Sequence, residues 1–241
     1  QGFASVEPLL AMAKPILDAE PEIDEKSKSA NTLSGAIEVC HLSFRYSEDE
    51  PLILDDFSLK IKPGEYIGVV GKSGCGKSTL VRLLLGFETP QSGAIYYDNY
   101  DLKDVDKSSI RQKIGTCLQN GTLFPGSIFS NLTITAPEST MGDAWEAVRL
   151  VGMDKDIKEL PMGMSTLISE SGEGFSGGQK QRLLIARALI NRPSILIFDE
   201  ATSALDNISQ KIVSDNLGSL GCTRIAIAHR VSTIRNCDRI I

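Results

Sequence analysis

Three short segments of the chain are built around unbroken apolar runs: EYIGVV (65–70), SILIFDE (194–200) and TRIAIAHR (223–230). Strands that are apolar on both faces are typical of a parallel sheet covered on each side by helices. The segment STLVRLLLGF follows the first run after a glycine-rich loop, and its apolar residues have helical spacing. The pattern therefore predicts an α/β core that begins with a strand, a loop and a helix.

Two further regions flank or interrupt this core. AIEVCHLSFRY and PLILDDFSLKIKPGE predict antiparallel strands joined by a turn at Pro63-Gly64. Between about 119 and 192 helical patterns dominate, most clearly in GDAWEAVRLVG and QKQRLLIARALI. The expected fold is an α/β core with an antiparallel β subdomain and an inserted helical subdomain, at about 120–190.

Residues 1–34 differ in pattern from the rest of the chain. Pro15 is expected to kink or split the helix that their apolar spacing predicts, and the polar stretch EPEIDEKSKSANTLSG after it reads as a linker. The apolar positions are Val6, Leu9, Leu10, Ala13, Ile16 and Leu17. The region is either a frayed terminus or a tether to an upstream domain, with the folded domain at 35–241.

Composition narrows the function classes. The net charge of −6 over 241 residues argues against a nucleic-acid partner held by bulk electrostatics. No apolar run approaches the roughly 18 residues that cross a bilayer, so the fragment itself is expected to be soluble. Its five cysteines include no C-x-x-C pair, which favours a reducing compartment without disulfides or zinc.

The segment GKSGCGKST at 71–79 matches the phosphate-loop template, with a predicted strand before it and a helix after it. Its glycines let backbone N–H groups wrap the β-phosphate, and the helix N-terminus adds a favourable dipole. Lys77 is expected to reach the β- and γ-phosphates, and Ser78 Oγ to ligate Mg²⁺. The candidate nucleotide-binding residues of this loop are Gly71, Lys72, Ser73, Gly74, Cys75, Gly76, Lys77, Ser78 and Thr79.

Two adjacent carboxylates end the apolar run ILIF. Asp199 is predicted at the C-terminal edge of a parallel strand, where ligands bind in open α/β sheets, and is expected to hold Mg²⁺ through water. Glu200 follows it and points away if the strand continues, so it is assigned the general base that polarises the attacking water.

Three further residues are candidates for the nucleotide site: two follow predicted strands, and one precedes the phosphate loop in the chain. His229 ends RIAIAH at the same sheet edge, which favours a contact with the γ-phosphate. Gln119 follows the strand-like IGTCL and by itself is an ordinary loop amide. Tyr46 is either a stacking platform for adenine or a core residue.

A second glycine-rich segment, FSGGQ at 175–179, has the composition of another anion grip. Together with the phosphate loop, Gln119, ILIFDE (195–200), SALD (203–206) and His229, in that order, it resembles the nucleotide-binding domain of ABC transporters. The resemblance covers residues 36–241 and implies a P-loop NTPase (RecA-like) core. Phe175 replaces the leucine that is commonest there, and the chain stops at DRII, before the closing elements such domains usually have.

The resemblance implies how the two glycine-rich segments cooperate. Two domains pack head to tail, and each ATP lies between the phosphate loop of one chain and the FSGGQ segment of the other. Tyr46 then stacks on adenine, while Gln119 senses Mg²⁺ and links to a membrane domain. The residues implied on the opposite chain's side of the nucleotide are Ser176, Gly177, Gly178 and Gln179, with Ser203 and Asp206 lining the same interface.

Further segments resemble the exporter branch of the family. LFPGSIFSNL (123–132) and PMGMSTLISESG (161–172) are similar to exporter segments, and the second is similar to the loop that touches coupling helices. LLGFETP, LQNG, PMGM and SALDN resemble peptide-exporting ATPases of the NHLM bacteriocin type. The implied protein is an ATP hydrolase with Mg²⁺, coupled to a transmembrane domain on the same full-length chain, at the cytoplasmic face of a bacterial plasma membrane.

Two other functions stay open at this point. A soluble ABC-type ATPase acting on DNA or ribosomes typically carries paired cassettes or coiled-coil inserts, and this chain has neither. A regulatory module that binds nucleotide without hydrolysing it is disfavoured by the presence of Glu200 and His229. Cys75 is either a site where an alkylating or oxidising agent blocks ATP or an inertly packed residue.

Overall fold

The computed structural model describes residues 6–19, 28–118, 121–169, 174–199, 205–227 and 234–241. Within these ranges the central sheet is parallel, with strand order β11-β3-β10-β9-β6. Its strands are β3 (Tyr66–Val69), β6 (Ile114–Cys117), β9 (Ile195–Asp199), β10 (Thr223–Ile227) and β11 (Arg239–Ile240). The predicted apolar strands are confirmed, and the fold class is α/β as expected.

The antiparallel subdomain lies beside this core. Its strand order is β2-β1-β4-β5, and the pairing of β1 with β2 and β4 is antiparallel. The strands are β1 (Ile37–Phe44), β2 (Leu54–Ile61), β4 (Ser92–Tyr97) and β5 (Tyr100–Asp101). This confirms the expected β subdomain.

The predicted position of the turn at Pro63-Gly64 was wrong. Pro63-Gly64 does not join the antiparallel strands but links β2 to β3 of the parallel sheet, through a turn in which Glu65 N donates to Lys62 O at 3.1 Å. The connection between β1 and β2 is residues 45–53 instead. Along β2 burial is uneven, whereas every residue of β3 is buried, so the turn marks the passage from a half-exposed to a fully covered sheet.

Helices cover the parallel sheet and build the insert. The core helices are α2 (Lys77–Leu84), α3 (Lys107–Arg111) and α8 (Asn207–Gly218). The insert contains α4 (Ile128–Thr133), α5 (Met141–Leu150), α6 (Asp154–Glu159), a 3-10 turn (Gly163–Ser165) and α7 (Gly177–Leu189), with a short strand pair β7 (Gly126–Ser127) and β8 (Leu167–Ile168). Among the described residues, no helix is both long and apolar enough to span a bilayer.

Strand β9 separates two hydrophobic cores. Ile195 and Ile197 pack into the cluster shared with the β subdomain and α2, whereas Leu196 and Phe198 pack into the cluster of the helical insert. Successive side chains of a strand point to opposite faces, so a continuous apolar run is required wherever both faces are covered. The two cores meet at the strand that ends in Asp199.

The described part of the N-terminal region contains a helix, α1 (Val6–Leu17), which is not split at Pro15. Asp18 N still donates to Lys14 O at 2.8 Å beyond the proline. Packing against the domain is already present from residue 28, because Lys28 bridges to Val105 and both Ala30 and Leu33 are buried.

Residue Thr223 fastens this N-terminal segment to the start of the parallel sheet. Its side chain is fully buried, and its hydroxyl donates to Gly35 O at 2.6 Å and accepts from Gly64 N at 3.0 Å. Gly35 has φ +97°, and a Cβ there would lie 2.5 Å from the same hydroxyl oxygen. One side chain thus joins β10, the turn before β3 and the segment before β1 that contains Gly35.

We expect Thr223→Val to lower the free energy of unfolding by about 1–3 kcal/mol, because it leaves the part-buried Gly64 N–H and the buried Gly35 carbonyl without this partner. Urea unfolding followed by circular dichroism measures the change. Thr223→Ser is the matched control, since it keeps the hydroxyl and should be the less destabilised of the two. A valine variant as stable as the serine variant would contradict this assignment.

Candidate functional site

The parallel register brings several strand ends to one edge of the sheet. Val69 pairs with Ile227, and Ile227 pairs with Asp199, so β3, β10 and β9 end at the same level. On the far side of β9, Cys117 pairs with Phe198. Whatever follows these strands therefore gathers at their C-terminal edge, where open α/β sheets bind ligands.

The loop after β3 has the backbone conformation of a phosphate cradle. Gly74 and Gly76 have φ of +81° and +96°, in the left-handed region that favours glycine. Gly76 is also the N-cap of α2, no side chain caps this helix start, and an added Cβ would lie 2.8 Å from Ile53 Cγ2. Cys75 N donates to Lys72 O at 3.3 Å within the loop, and the start of α2, which no side chain caps, offers N–H groups to an anion.

The ammonium group of Lys77 lies within the phosphate loop. Its Nζ donates to Gly71 O and Lys72 O, both at 2.9 Å, and the residue is 9% exposed. The ammonium group is therefore held at the centre of the cradle by weak carbonyl partners. A bound phosphate oxygen would be a stronger, charge-assisted acceptor.

Ser78 and Asp199 meet across the site. Ser78 Oγ donates to Asp199 Oδ2 at 3.3 Å, and Asp199 is buried at the end of β9. Within the described ranges, no three His, Cys, Asp or Glu side chains converge as a metal centre. A hydroxyl and one carboxylate fit Mg²⁺, which takes few protein ligands and completes its shell with water and phosphate oxygens.

Tyr46 lies beside the phosphate loop and is not a core residue. It is 51% exposed, its ring stands edge-on to Phe44 at 5.0 Å, and its hydroxyl is 3.4 Å from Thr79 Oγ1. The core interpretation is therefore wrong, and an exposed aromatic face is available next to α2. Cys75 is also exposed, with its Sγ 3.8 Å from Lys77 Nζ, so it is not a packed residue, and its reactivity stays a prediction.

The FSGGQ segment forms the start of α7. Ser176 Oγ accepts from Gln179 N at 3.2 Å, and Gln179 Oε1 accepts from Ser176 N at 2.9 Å, which closes a capping box. Nothing lies within 4 Å of a Cβ placed on Gly177. Among the described residues, no hydrogen bond or ion pair joins 174–179 to the phosphate loop of the same chain.

Asp206 is the N-cap of α8. Its carboxylate accepts from Ile208 N at 3.0 Å, and from Ser209 N and Oγ at 2.9 and 2.8 Å. These bonds, that from the Ser209 N–H foremost, hold the pKa of Asp206 below its usual range. The other candidates, Gln119, Glu200, Ser203 and His229, lie outside the described residues.

Sequence patterns did not reveal a groove next to the site. It has a volume of about 570 Å³ and lies between the core and the helical insert. Its lining includes Phe87, Arg111, Leu118, Gly121, Leu184 and Arg187. Since these residues come from separate parts of the chain, no local motif could have identified them together.

Comparison with known proteins places the chain. The family profile described as ABC transporter matches residues 54–203. The toxin RTX-III translocation ATP-binding protein of Actinobacillus pleuropneumoniae is 44% identical over 243 aligned positions, which cover 100% of this chain and 34% of that protein. The alpha-hemolysin translocation ATP-binding protein HlyB of Escherichia coli O6:H1 is 42% identical with the same coverage.

A solved structure gives the same result for the fold. A bacterial Atm1-family ABC exporter with ATP bound superposes with a TM-score of 0.89 at 32% identity, over 98% of this chain and 42% of that one. The chain belongs to the ABC transporter family and has the fold of its ATP-binding domain. It spans about a third of the length of the curated relatives it matches, and their names refer to toxin and haemolysin translocation, which gives no support to the narrower bacteriocin resemblance.

We expect Gly76→Ala to weaken ATP binding at least tenfold, because the left-handed conformation costs a Cβ-bearing residue about 1–2 kcal/mol before the contact with Ile53 is counted. Isothermal titration with Mg-ATP measures the affinity. Gly86→Ala is the control: Gly86 also has a positive φ, +70°, but follows the C-terminus of α2. It should lose stability while keeping its affinity, and an equal loss of affinity in both variants would contradict a specific role of Gly76.

Proposed function

We propose that this chain is the ATP-hydrolysing motor domain of an ABC exporter, in which ATP is bound between two such domains and its hydrolysis is coupled to a transmembrane partner. The observation that carries the proposal is the meeting of Ser78 and Asp199, at 3.3 Å, beside a glycine loop whose lysine is already centred in it. The reaction is ATP + H₂O → ADP + phosphate.

Each residue near the loop has a part in this reaction. The open N–H groups of the loop bind the phosphates, Lys77 exchanges its carbonyl partners for phosphate oxygens, and Tyr46 stacks on adenine. Ser78 and Asp199 would hold Mg²⁺, with Gln119 as a third residue near it, and the ion would supply positive charge to the β- and γ-phosphates. Glu200 accepts the proton of the attacking water, and His229 contacts the γ-phosphate.

The second half of the nucleotide site is proposed to come from another chain. Closure of the capping box uses Ser176 and Gln179, but leaves the N-terminal end of α7 exposed at Gly177. A helix end with free N–H groups attracts an anion, and in a head-to-tail pair that anion is the γ-phosphate held by the other chain's loop. Ser203 and Asp206 would line the same interface.

The groove of about 570 Å³ is proposed to receive the transmembrane partner. Leu118 and Gly121, which bracket the Gln119 segment, lie in its wall, and Leu118 and Phe87 are 41% and 54% exposed. An exposed groove whose wall includes the residues that flank Gln119 in the chain suits a part that must transmit movement. The relatives' names favour a polypeptide toxin as cargo, and the bacterial cytoplasmic face of the membrane as the location.

We expect Gly177→Ala to separate the fold from the function. Alanine fits the helical conformation with nothing within 4 Å, so the free energy of unfolding should rise by about 0.4–1 kcal/mol. ATP affinity should stay unchanged, whereas turnover should fall at least about tenfold because the methyl group blocks the approach of the other chain's γ-phosphate. Phosphate release and urea unfolding are measured on the same preparation.

Gly142→Ala is the matched control for this change. Gly142 lies in the first turn of α5, and its added Cβ would meet only Thr140 Oγ1, at 3.5 Å. Both alanine variants should gain stability, but only the one in the FSGGQ segment should lose turnover. Full turnover in Gly177→Ala would argue against a two-chain nucleotide site.

We expect Glu200→Gln to abolish phosphate release while preserving ATP binding, because the amide cannot take the proton from water. The ATP-bound pair should then persist, and light scattering after size exclusion should show a dimer with Mg-ATP and a monomer without it. Glu138→Gln, at an exposed position, is the control that should hydrolyse ATP normally. Retained turnover in the Glu200 variant would remove Glu200 as the base.

A further inference from the structure

Helix α7 carries the FSGGQ segment at its start and a half-buried arginine near its end. The guanidinium of Arg187 donates three hydrogen bonds: from Nε to Asn131 O at 2.8 Å, from one terminal nitrogen to Thr122 O at 3.0 Å, and from the other to Asn131 Oδ1 at 2.9 Å. All three acceptors lie in residues 122–131, the segment that comes shortly after Gln119 in the chain.

Asn131 extends this grip along the segment. It is 2% exposed, its Oδ1 accepts from Phe124 N at 2.8 Å, and its Nδ2 donates to Phe124 O and Ser127 O at 2.8 and 3.1 Å. Arg187 therefore holds a loop that is itself cross-linked by one buried amide. The loop and the arginine act as a single hydrogen-bonded unit, in which every link is within normal distance.

The rest of the contact surface supports the same attachment. The guanidinium lies 5.2 Å from the centre of the Phe124 ring. Leu184, one turn earlier on α7, lies close to Gly121, because a Cβ placed on that glycine would be 3.3 Å from the Leu184 side chain. Burial lowers the pKa of Arg187 and raises that of the adjacent Cys117 thiol to about 12. The thiol is thus neutral, and the carbonyl and amide oxygens remain the partners that compensate the buried cation.

We propose that Arg187 is a positioning residue that joins the segment 122–131 to the FSGGQ helix, so that the two move as one piece. Arg187 and Leu184 also line the groove next to Leu118. Displacement of this wall by an occupant of the groove would be passed along α7 to Ser176 and Gly177, about ten residues away. This inference rests on the proposed function, because it assigns the helix end to a nucleotide held by a second chain.

An apolar residue could not replace the guanidinium. It would remove the arginine donor from the part-buried Asn131 carbonyl and from the more exposed Thr122 carbonyl, and would leave Asn131 Oδ1 with the Phe124 N–H as its remaining donor. Removing one partner of such a network costs the desolvation of the groups left behind. Lysine keeps the charge but presents a single nitrogen, which cannot span acceptors on both sides of the segment. We therefore expect arginine at position 187 to hold segment 122–131 most firmly, lysine less firmly and methionine least.

The test uses the full chain with Arg187→Met, Arg187→Lys and a control, Arg182→Met. Arg182 is also half-buried on α7, but donates to Gly152 O and Asp156 Oδ2, at 2.9 and 3.1 Å, on another part of the insert. Hydrogen exchange is measured without nucleotide. Exchange in 122–131 should be at least about tenfold faster in Arg187→Met, intermediate in Arg187→Lys, and unchanged in Arg182→Met.

A second readout separates positioning from general damage. ATP affinity, set by the phosphate loop, should stay within about twofold in all variants, whereas turnover at saturating ATP should fall at least about tenfold in Arg187→Met and less in Arg187→Lys. A purely structural role would lower turnover equally in Arg187→Met and Arg182→Met. Unchanged exchange in 122–131, or that equal loss, would overturn the inference; absence of turnover in the unsubstituted chain would instead overturn the proposed function.

Discussion

The hydrogen-bonded register of three parallel strands is the constraint on which the site depends. Because Val69, Ile227 and Asp199 are paired side by side, the phosphate loop begins where β9 presents its carboxylate. A shift of one residue would turn Asp199 to the other face of the sheet and separate it from Ser78. The alternate side chains of β9 fill two different cores, with two isoleucines on one face and a leucine and a phenylalanine on the other. A shift of register would therefore require both close-packed cores to repack.

Local patterns in the sequence predict those parts of the fold that are themselves local. An unbroken apolar run specifies a strand covered on both faces, and the glycine loop between strand and helix specifies the phosphate cradle, so the sequence predicts both. Pro63-Gly64 is different, because turn residues indicate that the chain reverses but not which strands pair afterwards. That depends on which faces can be covered, which is a property of the whole packed domain.

Contacts to backbone atoms define what sequence cannot show. Arg187 is bound by the carbonyl oxygens of Thr122 and Asn131, and every residue has such an oxygen, so no side-chain pattern announces the pair. Tyr46 illustrates the same difficulty, since an aromatic residue near a strand end is compatible with burial or exposure until the neighbouring Phe44 and Thr79 are placed. The sequence therefore predicts the phosphate-binding residues of the candidate site. It does not predict the hydrogen bonds of Arg187 that hold residues 122–131 to α7.

The phosphate loop and the FSGGQ segment need glycine for different reasons, and this difference explains why the chain has both. Gly76 is needed by the fold, because its φ of +96° and its contact with Ile53 exclude a side chain. Gly177 is not: its helix is capped by Ser176, and a Cβ would meet nothing within 4 Å. Glycine there costs the helix roughly 1 kcal/mol relative to alanine. Gly177 therefore lowers stability without making room for any group of its own chain. A glycine there is best explained by the close approach of a group from outside the chain, and in the proposed shared site that group is the nucleotide bound by the other chain.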